Sequence, residues 1–245
     1  MMLLTFILAT VFATAVLSGV LGMAGGMILM AILVSTLSVA GAMIVHGVVQ
    51  AVSNGSRAWF LRHHIQWRIL PAYTLGAAAA LAGFAALSLV PNAGVVLILV
   101  GAFPFAARWN ARLSGLDVTR PATTLACGFT VTAAQLLAGA SGPLLDAFYL
   151  NTPLSRQQVV ASKAITQTLG HLVKLFYYGL IIGVAEELPG WFFVLAAMLA
   201  VAGARSGVAL LHRWNDKRFR TVSGRVILVI AAVCVARGAY ELVAA

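Results

Sequence analysis

Apolar residues run through this chain in long stretches separated by short polar turns, and the pattern predicts helices over 2–20, 27–39, 43–61, 70–89, 93–108, 122–138, 144–150, 157–181, 191–211 and 222–243. Two of these are polar on one face. His46, Gln50, Asn54 and Arg57 step by four, four and three along the first, and Lys163, Gln167, His171 and Lys174 repeat the same steps along the second. At about 3.6 residues per turn each set forms a single seam on its helix. The flanking segments HGVVQAVSNGSRAWF and KAITQTLGHLVKLFY, 117 residues apart, align without a gap, Gln50 on Gln167 and Arg57 on Lys174. That is the mark of an internal duplication. Snorkelling cations and helix-to-helix glue are the structural alternative for such side chains, and Arg57 and Lys163 suit it. His171 and Lys174 lie too far from a helix end for that explanation.

The helices preceding each seam are broken by glycine. SGVLGMAGG supplies Gly19, Gly22, Gly25 and Gly26, and GASGP supplies Gly139 and Gly142 around Ser141. Each cluster adjoins an apolar piece, 27–39 or 144–150, too short for a hydrocarbon core of about 30 Å. Glycine allows positive φ and close backbone approach, and freed N–H groups at half-helix starts favour an anion. Packing of small residues between helices is the structural alternative. The chain is thus divided into a first repeat, 1–112, a linker, 113–120, and a second repeat, 121–245, within a single membrane domain.

Composition fixes the class. With 62% hydrophobic and 9% charged residues in 245, there is too little polar surface to cover a soluble globule, so the chain is a polytopic, all-α membrane protein. The net charge of +10 sits mostly in short loops, where it orients the protein and meets anionic lipid; nucleic acid is not implied. Cys127 and Cys234 fall inside apolar stretches, which indicates neither a disulfide framework nor a metal site. The amino-terminal stretch has an Ala13-Thr14-Ala15 sequence resembling a cleavage site but no basic region ahead of it, and it reads as a retained helix.

Loop charge selects a topology. If every segment crossed, the loops at 62–68 and 108–120 would oppose Arg156 and the loop at 213–225 with no bias between faces. If 2–39 and 122–150 are re-entrant hairpins, all eleven of those Lys and Arg residues fall on the cytosolic face, and Glu186 and Glu187 on the other. The two halves are then inverted repeats, each a Gly-broken hairpin plus three transmembrane helices. In that arrangement the breaks and seams meet near the midplane, where non-helical backbone is tolerated only if buried or lining a cavity.

At these residues the sequence resembles the TauE/SafE family of sulfite and organosulfonate transporters, over nearly the whole chain: a glycine-rich break early in each half, then a polar-faced helix. Where family members carry an Ala-Thr-Ser-like start to that helix, this chain has Val45-His46-Gly47 and Ala161-Ser162-Lys163. The resemblance implies transport of small sulfur-containing or carboxylate anions by two repeats without a bound cofactor, in a bacterial cytoplasmic membrane. The expected substrate contacts are Gly25, Gly26, Gln50, Asn54, Arg57, Ser141, Gly142, Lys163, Gln167, His171 and Lys174. Asp146, one turn beyond the second break, is the expected proton carrier or else the partner of a Lys or Arg. A homodimer is compatible with all of this.

Two other readings fit part of the pattern. Gly139-Ala140-Ser141-Gly142 is similar to the serine loop of rhomboid intramembrane proteases, with His171 as base. Against an enzyme stand the thirty residues between Ser141 and His171, where rhomboids place a complete helix, and the absence of serine from the duplicate loop. An anion channel shares re-entrant loops and differs by unsaturable flux.

Overall fold

The computed structural model describes residues 2–21, 24–109, 116–149, 152–183, 188–211 and 216–244. Gly22, the pair Glu186 and Glu187, residues 113–115 of the linker and residues 212–215 lie outside them. As the apolar pattern predicts, the fold is all helical: α1 (Met2–Leu21), α2 (Ala24–Val34), α3 (Val39–Phe60), α4 (Leu70–Leu87), α5 (Ala93–Trp109), α6 (Pro121–Ala138), α7 (Gly142–Tyr149), α8 (Arg156–Phe176), α9 (Gly190–Leu211) and α10 (Asp216–Ala244). No strand occurs among the described residues. Four helical stretches, Trp67–Leu87, Pro121–Ala138, Gly190–Gly207 and Arg225–Val243, are long and apolar enough to cross a membrane.

Local chemistry sets the ends that matter for the polar seams. Ser38 caps α3 by accepting a hydrogen bond from the Gly41 amide at 3.1 Å. At the start of α8, Ser155 and Gln158 form a reciprocal capping box. Helix α6 stops at Gly139, whose φ of +73° is open to glycine at little cost, and the chain re-enters a helix three residues later. Beyond α8 the chain continues as a π-helical turn, Tyr177–Ile182, held by Tyr177 Oη donating to Leu89 O at 2.8 Å and Tyr178 Oη to Leu136 O at 2.7 Å.

The first break differs from expectation. Gly25 and Gly26 stand in the first turn of α2 and not in an open loop. The physical reason is contact: a Cβ on Gly25 would lie 2.0 Å from Thr14 O and 2.3 Å from Ser18 Oγ, so glycine here lets α2 fold back against α1. Packing through small residues, the structural alternative, accounts for Gly25. The long arms of both pairs, α1 with 20 residues and α6 with 18, also exceed half a bilayer, at about 1.5 Å per residue, while α7 with 8 residues is a short return.

The most extensive helix pairings are α1 with α9, α4 with α6, α5 with α10 and α3 with α8. Exchanging the first five helices for the last five turns α1·α9 into α6·α4 and leaves the other two pairings unchanged. The core beside the seam is apolar, with Met27, Met30, Leu33, Met43 and Leu136 fully buried.

Candidate functional site: the α3–α8 seam

Helices α3 and α8 pack with their polar stripes facing, and they run in opposite directions. Gly47, near the start of α3, faces Leu175 and Lys174 near the end of α8; Gly55 faces Thr168; beyond α3, the Gln66 amide donates to Ser162 Oγ at 2.9 Å. The stripes therefore meet head to tail. His46 meets Lys174, and Arg57 lies within electrostatic reach of Lys163.

The Lys174 end is closed. Lys174 is wholly buried, and its Nζ donates to His46 Nδ1 at 2.9 Å and to Gly139 O at 3.0 Å. His46 Nε2 lies 3.0 Å from Gly26 O. Because a carbonyl only accepts, Nε2 carries the ring hydrogen, which leaves Nδ1 to accept from the lysine. A continuous chain of hydrogen bonds thus ties the first turn of α2 to the end of α6 through one residue from each seam. The His171 ring lies tilted beside that of His46, centroids 5.5 Å apart, and its Nδ1 has no hydrogen-bond partner among the described residues.

The opposite end is more open. Lys163 pairs with Asp146, with side chains 21% and 32% exposed, so of the two roles expected for Asp146 the structure supplies the cationic partner. Between the ends, the side chains of Gln50, Asn54, Arg57 and Gln167 make no hydrogen bond or ion pair with the described residues. Gln50 lies against Gly26, where an added Cβ would come 3.3 Å from its Nε2. Three cations and one carboxylate share the seam. Two open grooves on the outer surface, one beside Trp67, Leu70 and Leu75 and one beside Ile28, Ile32 and Val229, are apolar and belong to neither stripe.

The sequence match decides what kind of protein carries this seam: the family model described as sulfite exporter TauE/SafE matches residues 7–234. The chain belongs to the TauE/SafE family. No curated protein and no solved structure matches it. Members of the TauE/SafE family are membrane exporters of sulfite and related anions and not enzymes, and the multi-pass architecture agrees with that.

The geometry bears separately on the serine alternative. Ser141 Oγ donates to Gln135 Oε1 at 2.8 Å, and no hydrogen bond joins it to His171, so the Ser–His pairing that acyl transfer needs is not assembled. Gly142 opens α7 and is buried beside Ser141. Gln135, absent from the sequence-derived site, is the residue that organises this break. The available signal was its isolation: it is the one amide in the apolar run 121–138.

Proposed function

We propose that this TauE/SafE protein is a secondary transporter of a small sulfur-containing or carboxylate anion, such as sulfite or a sulfonate. The anion binds in the α3–α8 seam at the interface of two inverted repeats, in a bacterial cytoplasmic membrane. One observation carries the reading. The side chains of Gln50, Asn54, Arg57 and Gln167 lie along the seam without a hydrogen bond or ion pair among the described residues, beside Lys163, Lys174 and a single carboxylate; uncommitted donors and a surplus of positive charge suit a desolvated anion.

Support for the inverted repeats comes from the antiparallel seam. The end residues of the first stripe meet the second-stripe residues that align with its opposite ends, His46 with Lys174 and Arg57 with Lys163, as expected for a two-fold axis in the membrane plane. Gly26 and Gly139 contribute backbone carbonyls at the closed end, and Ser141 and Gly142 shape the second break. Asp146 is the coupling group: it exchanges Lys163 for a proton at the open end, so that transport is driven by a proton gradient.

Arg57→Gln tests the site. Arg57 has no hydrogen-bonding partner of its own among the described residues, so its loss strands no protein group and falls on the ligand. Removing one partner of a charge-assisted contact costs about 2–5 kcal/mol, or about thirtyfold or more in Kd. Titration of purified protein with sulfite, thiosulfate, sulfonates and small carboxylates identifies the ligand. Wild-type affinity in folded Arg57→Gln refutes the assignment.

A further inference from the structure

The closed end of the seam holds polar atoms that no protein group satisfies. Gln135 is 1% exposed and His171 4%, yet among the described residues neither Gln135 Nε2 nor His171 Nδ1 has a hydrogen-bond partner. Such atoms are rare in a packed interior because each gave up water for nothing. Here they are neighbours. Gly139 donates its amide to Gln135 O at 2.8 Å and receives Lys174 Nζ on its own carbonyl, so Gln135 and Lys174 hang from one residue. Gly170, immediately before His171, faces the Gln135 amide: a Cβ there would lie 3.0 Å from Oε1 and 3.1 Å from Nε2. Lys174 follows Gly170 by one helical turn and His171 by three residues, so these three positions share one face of α8, and the Gln135 amide lies against that face at Gly170.

Their chemistry is one-sided. Ser141 occupies Gln135 Oε1 and thereby turns the amide so that Nε2 is the free end, a pure donor. In its Nδ1–H tautomer His171 offers a second donor. Lys174 supplies a cation whose two acceptors, His46 and Gly139 O, are both uncharged. Among the described residues no carboxylate reaches it. The missing complement is a group with one negative charge and at least two acceptor oxygens.

We propose that Gln135 Nε2, His171 Nδ1 and Lys174 Nζ form an inner oxyanion subsite that holds the deprotonated head of a sulfite, sulfonate or carboxylate at the closed end of the seam. This rests on the transport reading above and adds Gln135 to it as a residue that contacts the ligand. Ser141 then acts as a positioning residue, through Gln135. A sulfonate or sulfite presents more acceptor oxygens to three converging donors than a carboxylate does, which makes the subsite a source of preference for sulfur oxyanions.

The test uses the purified full chain titrated calorimetrically with sulfite, methanesulfonate and acetate. Gln135→Glu puts a carboxylate where the donor stands and is expected to weaken methanesulfonate binding at least about thirtyfold; Gln135→Leu removes the donor and is expected to weaken it about tenfold, with a smaller loss for acetate. Gly170→Ala, which pushes on the amide without removing it, guards against misfolding of the Gln135 variants and is expected to weaken methanesulfonate more than acetate. The subsite is refuted if Gly170→Ala and a folded Gln135 variant bind all three anions within twofold of wild type while Arg57→Gln does not. In that outcome the transport reading stands. A wild-type protein that binds none of the anions overturns both.

Discussion

Lys174→Met separates the fold of the seam from its chemistry. The substitution keeps an unbranched side chain of similar length and removes a wholly buried ammonium that donates to His46 Nδ1 and Gly139 O and meets no carboxylate among the described residues. Two opposing terms act on stability. Stranding two buried acceptors costs about 1–3 kcal/mol each. Against this, an ammonium no longer has to be taken out of water, a penalty of several kcal/mol per ion that no buried counter-ion offsets here. These nearly cancel, so the change in stability is expected to stay within about 3 kcal/mol of zero, or roughly 10 °C in melting temperature at about 2–4 °C per kcal/mol.

Binding has no such cancellation. A desolvated anion that loses its facing cation gives up about 2–5 kcal/mol, which is about thirtyfold to five-thousandfold in Kd. The assay pairs melting followed by tryptophan fluorescence with calorimetric titration of methanesulfonate, whose charge is constant across the neutral range. The expected result is a folded protein with a modest melting shift and anion binding lost or at least thirtyfold weaker. A folded Lys174→Met that binds within twofold of wild type would show that the lysine merely caps the end of α6 and bridges it to α2, and the site would have to be moved to the open end of the seam.

Three further outcomes follow from the same geometry. Asp146→Asn in proteoliposomes should abolish concentrative transport while exchange of labelled anion continues, with little change in melting because the Asp146–Lys163 pair is partly exposed and worth about 1 kcal/mol or less; unchanged pH-driven accumulation would clear Asp146 of coupling. Cysteines introduced at His64, in the exposed turn after α3, and at Glu187 should label from opposite faces of the membrane, and labelling from the same face would end the inverted-repeat proposal. Gly128→Ala should lower the melting temperature, because its Cβ would sit 2.0 Å from Tyr73 O and force α4 from α6 at about 1–3 kcal/mol, whereas Gly83→Ala, with nothing within 4 Å, should hold or raise it; equal shifts would deny the close α4–α6 approach.

Much of the fold was legible because its signals are local. Apolar runs and their breakers mark the helices, and a four-four-three spacing marks which side chains share a face, whatever the surroundings. Gly139 was readable for the same reason: a helix ending between apolar runs at GASGP needs a positive φ there. Gly25 falls inside α2 and not in the break: close packing and chain reversal demand the same residue, and only the nearness of Thr14 O tells them apart. Gln135 escaped for a different reason. It has no counterpart in a stripe, and its importance comes from Ser141 turning its amide, a contact from the break back onto α6 that periodicity does not encode.

What periodicity withholds most completely is the direction of the partner. Two seams of identical spacing fit together equally well in parallel or antiparallel. In the parallel case each residue would face its own duplicate: His46 beside Lys163, Gln50 beside Gln167, Arg57 beside Lys174. Two cations would then confront each other at one end with no carboxylate at hand. The antiparallel packing sets Lys174 against a neutral histidine ring that can accept its hydrogen bond, and brings Arg57 to the end where Asp146 already balances Lys163. Two cations still meet, Arg57 and Lys163, but beside a carboxylate, and the positive surplus is spread over both ends with uncommitted amides between them. That distribution, not the presence of the cations, is what the proposed anion site rests on, and it arises only when two oppositely directed stripes of this spacing are folded face to face.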